Sequence, residues 1–290
     1  MTLPADLPVV DHHCHLSPGG EGVAAARRFR RDGGSHLFLT THNWSHAPLR
    51  SVEDYRVQFE SIEELGRQIR TETAVGTSLV VAPYPVDLLE TADAIGLVKA
   101  VEVQIQTLDL AGTWVREHRA VALGEVGWPH FPVSADHGSA AEKIFLHALG
   151  VAHDVGCPVV VHSEELAPDG YRRLSERARA AGLPSERVIK HYTRSYLPPD
   201  ARSGVTPSFL ARKETVADAL MDPGPWFLET DFLDDPKRPG AVLDIATVPR
   251  RASAIARQYP DRVDRLRIPF VESVRKLYGF APERRSGGPG

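Results

Sequence analysis

Short runs of apolar residues recur along the chain, and segments with a helical spacing of apolar positions separate them. Each run is apolar on both faces, which is typical of strands in a parallel sheet that is covered on both sides. We predict eight such strands: Leu7–His13, His36–Thr40, Gly76–Ala82, Ala122–Val126, Pro158–His162, Arg187–His191, Gly204–Phe209 and Trp226–Asp231.

The segments between these runs carry helix signals at their ends. Ser51 begins a predicted helix that reaches Arg70, with a capping-box pattern in which Asp54 stands in place of the usual glutamate. Two further helices are predicted over Ala140–Val155 and Asp169–Ala181, and a glycine follows each of them, as at many helix C-termini. The first connection, residues 16–34, has several glycines and only a short helix.

Strand alternating with helix eight times predicts an α/β fold, a closed (β/α)8 TIM barrel in a single domain. Such a barrel needs about 250 residues, and the chain has 290. We therefore assign residues 1–282 to the barrel domain and expect a disordered tail over residues 283–290, whose sequence is ERRSGGPG.

Composition narrows the class of protein and its partners. Hydrophobic residues make up 42% of the chain and charged residues 25%, as in ordinary globular proteins. The formal net charge is −4, so no overall positive field would attract nucleic acid or an anionic membrane. We expect neither a signal peptide nor a membrane helix. The only two cysteines, Cys14 and Cys157, predict a reducing, cytoplasmic location without a disulfide framework.

The first predicted strand ends in a cluster of titratable residues, DHHCH at Asp11–His15. Because successive strand side chains point to opposite faces, His13 and His15 should share one face, with Asp11 one layer below. His12 and Cys14 should point to the other face. If the shared face is the barrel interior, two imidazoles meet at its mouth, and neutral imidazole binds zinc-like cations well. The pattern therefore predicts a metal site.

Four other predicted strands also end in residues that can bind a metal, and the C-terminal ends of all barrel strands meet at the catalytic face. These residues are Glu125, His162, His191 and Asp231. Three residues near the same strand ends are candidates for substrate contact, namely His42, His130 and Glu164.

Five motifs together resemble the TatD-related, metal-dependent hydrolases of the amidohydrolase superfamily. They are DHHCH at Asp11–His15, GEVG at Gly124–Gly127, VVVHSE at Val159–Glu164, VIKHY at Val188–Tyr192 and ETDFLDDPKRPGAV at Glu229–Val242. They occur in the family's order and span nearly the whole chain. Trp128 departs from the polar or basic residue expected after GEVG, and the end of the seventh strand matches only loosely.

The resemblance implies a pair of divalent cations. His13, His15 and Asp231 would hold one cation, His162 and His191 would hold the second, and Glu125 would bridge the two. Zinc is the default for such donors, and iron, manganese or nickel would fit the same residues. Many superfamily members bridge with a carbamylated lysine, but strand four offers none, and Lys190 should point away from the site.

The resemblance also implies roles in catalysis. Two bridged cations would activate a water molecule, with Glu125 and Asp231 as the catalytic carboxylates. Asp231 would accept the proton of that water and pass it to the leaving group. Asp11 and Glu229 are candidates for orienting the metal ligands.

Three functions remain open on these residues. The first is hydrolysis of a small amide, lactam, lactone or ester. The second is phosphoester hydrolysis, including deoxyribonuclease activity. This hypothesis would be favoured if the arginines of residues 27–31 faced the barrel mouth. The third is a barrel that binds a metal or ligand without catalysis. A small-molecule substrate and no membrane partner are expected. The net charge argues against nucleic acid without ruling it out, and the oligomeric state is left open.

Overall fold

The strands of the protein form one parallel sheet that curls into a barrel. A computed structural model describes residues 2–45, 47–235, 237–238 and 242–284. The sheet order is β8-β7-β6-β5-β4-β3-β2-β1-β9, with every neighbouring pair parallel. The strands are β1 Val10–His15, β2 His36–Thr40, β3 Gly76–Val81, β4 Ala122–Gly127, β5 Val159–His162, β6 Val188–Thr193, β7 Thr206–Leu210, β8 Phe227–Glu229 and β9 Phe232–Leu233.

The last predicted strand, Trp226–Asp231, is shorter than expected and is followed by a second short strand, and together the two strands close the barrel. β8 pairs with β7, whereas β9 pairs with β1. Between them Asp231 has a φ of 50°, which is not an extended conformation, and its amide donates to the carbonyl of His13 at 2.9 Å. The eighth position of the barrel is therefore shared by two short strands, of which β8 bonds to β7 and β9 bonds to β1. The prediction of a TIM barrel is confirmed.

Helices cover the outside of the barrel. Their bounds are α1 Val23–Arg31, α2 Val52–Thr73, α3 Asp87–Ile95, α4 Leu97–Arg116, α5 Ala135–Val155, α6 Pro168–Ala180, α7 Lys213–Ala219, α8 Thr247–Gln258 and α9 Ser273–Tyr278. Short 3₁₀ turns span Ser185–Arg187, Pro199–Arg202 and Pro260–Leu266, and a π-helical turn spans Ile268–Glu272. None of the helices in the described residues is long and apolar enough to cross a membrane.

The helix predictions hold with shifted ends. The capping box of Ser51 and Asp54 is present at the start of α2. The helix predicted from Ala140 begins at Ala135 instead, because Ser134 accepts a hydrogen bond from the amide of His137 and caps it. The first strand was also misplaced: it was predicted over Leu7–His13 and lies over Val10–His15.

Two hydrophobic layers build the core. One layer lies between the sheet and the helices and contains Leu39, Val81, Leu123 and Val161. The other fills the barrel interior and contains Phe38, Val80, Val160 and Ile189. Neighbouring residues of one strand alternate between the layers, as the side-chain period of two requires. Most of the predicted tail lies outside the described residues, although Arg284 donates to the Pro4 carbonyl at 3.2 Å.

Candidate metal centre

A β-bulge in β1 decides where its histidines point. Cys14 lies three positions after Asp11, but their partners Leu37 and Leu39 on β2 lie only two positions apart. The extra residue breaks the alternation, so His12 lies inside the barrel, where its ring stacks on Phe227 with centroids 3.7 Å apart. The prediction that His12 faces outward with Cys14 is therefore wrong.

Asp11 is held by hydrogen bonds from two segments of the chain. Its two carboxylate oxygens accept hydrogen bonds from the amide of Thr230 at 3.0 Å and from the hydroxyl of Thr230 at 2.6 Å. It also accepts the amide of His13 at 3.2 Å. Asp11 thus joins β1 to the chain after β8 and holds the strand that carries the histidines.

His13 and His15 meet two carboxylates at the mouth of the barrel. Oε1 of Glu125 lies 2.8 Å from Nε2 of His13 and 3.0 Å from Nε2 of His15. Oδ1 of Asp231 lies 3.7 Å and 3.5 Å from the same two nitrogens. One ligand atom from each of the four residues falls within 4.8 Å of the others, a spacing that suits a single metal ion.

The second oxygen of Glu125 faces a second histidine pair. Oε2 lies 2.7 Å from Nδ1 of His162 and 3.5 Å from Nε2 of His191. These two nitrogens are 3.3 Å apart. One buried carboxylate therefore separates two groups of nitrogen donors, and all six side chains predicted at the strand ends lie together.

Two more bulges and two glycines turn Glu125 and His191 toward the centre. The pairing register shifts around Glu125 in β4, between Gly124 and Val126. It shifts again in β6 between Lys190 and Thr193, a segment that includes His191. A side chain at Gly124 would collide with Val80 and Val160, and one at Gly127 would collide with the His162 carbonyl oxygen. The two glycines of GEVG thus let neighbouring strands approach the site closely.

Other polar atoms fix the orientation of the imidazole rings. The carbonyl oxygen of Thr40 lies 3.1 Å from Nδ1 of His15, and its hydroxyl lies 3.3 Å from Nδ1 of His13. Each ring therefore turns Nε2 toward Glu125 and Asp231. Thr40 was missed by the sequence analysis, because a threonine at the end of a buried strand gives no signal of its own.

The electrostatics of the cluster fit a bound cation. Burial lowers the pKa of His15, but hydrogen bonds to Asp231 and Glu125 outweigh it and raise that pKa to about 10. Burial likewise lowers the pKa of His191, but the charge and hydrogen bond of Glu125, together with Glu229, outweigh it and raise that pKa to about 9. Burial raises the pKa of Glu125, yet the charges of His191 and His162 hold it well below its usual range. The surroundings of this cluster therefore favour positive charge between its carboxylates.

The geometry around Glu125 supports the same interpretation. Its Oε2 atom is buried and has no hydrogen-bond partner among the described residues, although Nδ1 of His162 is only 2.7 Å away. The two atoms are close but not aligned as donor and acceptor. Convergence without alignment is typical of atoms that point at a shared ion rather than at each other.

A cavity of about 390 Å³ opens above the cluster, and all three predicted substrate contacts line it. The ring of His42 lies 5.3 Å from that of His15, Nδ1 of His130 lies 3.0 Å from Nε2 of His162, and Glu164 is exposed at the rim. A second cavity of about 620 Å³ adjoins it and shares His42 as a wall, with Trp44 beyond.

Several residues that were not predicted also line this cavity, among them Tyr84, Arg194 and Arg238. The hydroxyl of Tyr84 lies 3.5 Å from Nε2 of His162. Nε of Arg194 lies 3.5 Å from Glu165, and Nε of Arg238 lies 3.2 Å from Asp235. Arg238 belongs to the ETDFLDDPKRPGAV motif. A charged residue in a motif that follows a strand end could therefore have been predicted to line the site.

The arginines of residues 27–31 do not supply the basic rim that would have favoured a nuclease. None of them is among the described residues that line the mouth cavity. Arg27 pairs with Glu72 at 2.5 Å, and Arg28 pairs with Glu21 and with Asp244. The charges of Arg27 and Arg28 are therefore balanced by neighbouring carboxylates.

Lys190 and Trp128 have structural contacts. Nζ of Lys190 donates to the carbonyl oxygens of Ser163 at 3.2 Å and His191 at 2.5 Å, and so joins the ends of β5 and β6. Nε1 of Trp128 donates to Glu142 of α5 at 3.1 Å. Neither residue is among the described residues that line the mouth cavity.

Comparison with known proteins adds family evidence. The family model described as TatD related DNase matches residues 10–279. An uncharacterized protein from Methanocaldococcus jannaschii is 31% identical over 255 residues, which cover 86% of this chain and 88% of that protein.

Solved structures show the same fold at low sequence identity. A TatD-like protein from Archaeoglobus fulgidus superposes with a TM-score of 0.63 at 13% identity, covering 93% of this chain and 100% of that one. A TatD homolog from Escherichia coli gives 0.61 at 15%, covering 94% and 98%. Dihydroorotase from Saccharomyces cerevisiae gives 0.58 at 9%, covering 94% and 84%.

Proposed function

The chain belongs to the TatD-related DNase family and is a metal-dependent hydrolase, and we propose that it acts with two divalent cations on a small substrate. His13, His15 and Asp231 would hold one cation, and His162 and His191 the other. The observation that carries this proposal is the division of Glu125 between the two groups, with Oε1 at 2.8 Å from His13 and Oε2 at 2.7 Å from His162. Family membership favours an enzyme over a non-catalytic barrel.

The bound cations would supply Lewis-acid polarisation of the substrate and water of lowered pKa. The chain's own residues would direct the proton. Asp231 borders the mouth cavity and is 9% exposed, so a substrate in the cavity can reach its carboxylate. Burial raises the pKa of Asp231, but the hydrogen bond from His15 and the charges of the surrounding histidines together outweigh it and hold that pKa below its usual value. Asp231 is therefore ionised and can accept a proton. It would then release that proton to the leaving group.

The substrate we propose first is a small amide, lactam, lactone or ester. A cavity of about 390 Å³ suits a small molecule. The adjoining cavity gives room for a longer substituent beyond His42 and Trp44. His42, His130 and Glu164 would contact this substrate from the cavity wall.

Phosphoester hydrolysis is the second candidate, and one observation favours it. Arg194 and Arg238 line the same cavity as the candidate metal ligands, and guanidinium groups bind phosphate well. The description of the family model, TatD related DNase, agrees with this chemistry.

Zinc is the proposed metal, because imidazole and carboxylate donors suit it, and iron, manganese and nickel are alternatives. The two cysteines, Cys14 and Cys157, are both free and buried, in keeping with the reducing cytoplasm that we propose as the location.

One experiment tests the function and separates its candidates. Metal-free protein is loaded with zinc or manganese, its metal content is measured, and it is assayed against p-nitrophenyl phosphates, lactones and small amides. We expect two ions per chain and metal-dependent turnover of one bond class. Arg238→Gln should raise KM for a phosphoester and leave a neutral lactone unaffected. Fewer than two ions per chain would contradict the two-cation proposal.

A further inference from the structure

A chain of buried polar side chains runs through the barrel interior below the candidate metal centre. The hydroxyl of Tyr278, in α9, lies 2.7 Å from Nε2 of His12. Nδ1 of His12 lies 3.3 Å from the hydroxyl of Ser208, which in turn contacts Oε2 of Glu229. His12, Ser208 and Glu229 are each at most 1% exposed. Buried polar groups of this kind are costly unless they are fully hydrogen-bonded, so the contacts define a single network.

The direction of each hydrogen bond follows from the groups present. A carboxylate only accepts, so Ser208 donates its one hydrogen to Glu229. The oxygen of Ser208 must then accept from His12, which places the single hydrogen of a neutral His12 ring on Nδ1. Nε2 of His12 is left as an acceptor, and the hydroxyl of Tyr278 donates to it. All the donors therefore point the same way, toward Glu229.

Glu229 connects this network to a candidate ligand. Its Oε1 accepts the amide of Tyr192 at 2.5 Å and lies 3.6 Å from Nδ1 of His191. Nδ1 of His191 is buried and has no hydrogen-bond partner among the described residues. Glu229 is thus the acceptor toward which an Nδ1 hydrogen of His191 would point. That arrangement leaves Nε2 of His191 without a hydrogen and free to bind a cation.

We propose that Tyr278, His12 and Ser208 are positioning residues that hold Glu229 and, through it, the ligand tautomer of His191. This inference rests on the proposed function for the identity of the ligands. The network ends at the second cation site, formed by His162 and His191. Its loss should therefore weaken that site and spare the site of His13 and His15.

Ser208→Ala tests the proposal, because it removes one hydroxyl and leaves the shape of the core nearly unchanged. The matched control is Ser175→Ala, at an equally buried serine in α6 whose hydroxyl bonds to that of Ser185, at 2.8 Å, away from the site. Zinc binding is measured by titration against a competing chelator. We expect about a 10- to 100-fold weaker second zinc ion in Ser208→Ala, with the first ion within about twofold, and no change in the control.

A second readout does not depend on the loaded enzyme. Above the pKa of about 9 that His191 has in metal-free protein, ¹⁵N NMR should show the hydrogen of its neutral ring on Nδ1, and Ser208→Ala should add the Nε2-H tautomer. Ser208→Thr, which keeps a hydroxyl, should restore the native tautomer and zinc affinity. Tyr278→Phe, at the far end of the chain, should shift the tautomer in the same direction by a smaller amount.

The outcomes distinguish this inference from the proposed function. If the native protein binds no zinc, the proposed function fails. The NMR measurement of the His191 tautomer still tests whether the network positions that ring. Equal weakening of both zinc sites, or an unchanged tautomer in Ser208→Ala and Tyr278→Phe, would overturn the inference.

Discussion

Oε2 of Glu125 lies 2.7 Å from Nδ1 of His162, while Oε1 of the same carboxylate lies 2.8 Å from Nε2 of His13. A buried glutamate in this position belongs to both halves of the candidate centre. The halves are consequently coupled, and a change at Glu125 should be felt by both.

Glu125→Gln should reduce bound zinc at both sites. The amide keeps one oxygen acceptor but loses the negative charge and presents an NH₂ group to one histidine pair. We expect metal analysis to find at most one ion per chain. Glu165→Gln is the matched control, because Glu165 lines the same cavity but lies outside the ligand clusters. Two tightly bound ions in Glu125→Gln would refute the bridging role.

Asp231→Asn should remove most turnover while much of the metal stays bound. The other members of its cluster, His13, His15 and Glu125, remain, but the amide cannot accept the proton of the attacking water. Loss of a general base typically costs about 10²- to 10⁴-fold in rate. Measurement of kcat alongside metal content checks this, and near-native kcat with full metal would exclude the proton-transfer role.

Removal of the metal should lower thermal stability. The buried carboxylates and histidines lose the cations that hold them together, and a ligand at a thousandfold excess over its Kd stabilises by about 4 kcal/mol. We expect a chelator to lower Tm by several degrees in the native protein. The same chelator should change the Tm of Glu125→Gln much less, and an equal drop in both proteins would show that the effect is not due to this site.

Asp87 should make the free energy of unfolding fall as pH rises. It is the first residue of α3, and burial, reinforced by Glu90, raises its pKa from 3.8 to about 8. Between those values the unfolded chain has released this proton and the folded chain still holds it, so stability falls by about 1.4 kcal/mol per pH unit from this group.

Denaturant unfolding between pH 5 and pH 8 tests this assignment. Asp87→Asn should flatten the pH dependence and be more stable than the native protein at pH 8. Asp93→Asn, an exposed position on the same helix, is the control and should keep the native slope. An unchanged slope in Asp87→Asn would contradict the assignment.

The strand ends could be read from the sequence, but the exact direction of several side chains could not. Glu125, His162, His191 and Asp231 follow apolar runs, and the barrel rule brings such ends together. The bulge that turns His12 inward leaves no trace in the pattern. Both faces of these strands are buried, so the sequence has no polar face against which a one-residue shift would show.

Cavity residues that lie on other loops could not be predicted from the sequence either. Tyr84, Arg194 and Arg238 line the cavity because the loops after β3, β6 and β9 converge at its mouth. Helices α3 and α4 were likewise not predicted. Spacing along one element cannot report contacts between elements that are distant along the chain.

The barrel closes where β9, near the C-terminal end of the chain, pairs with β1, near its N-terminal end. The candidate centre lies at this closure, so its residues come together last. Asp11 and Thr230, which are bonded to each other, are 219 positions apart. During synthesis His13 and His15 emerge early and lack Asp231 until nearly the whole chain has left the ribosome. The candidate ligand set of His13, His15, Glu125 and Asp231 is therefore complete only when the barrel has closed. A chain that ends before Asp231 contains only part of that set, so metal binding at this proposed site would require a closed barrel.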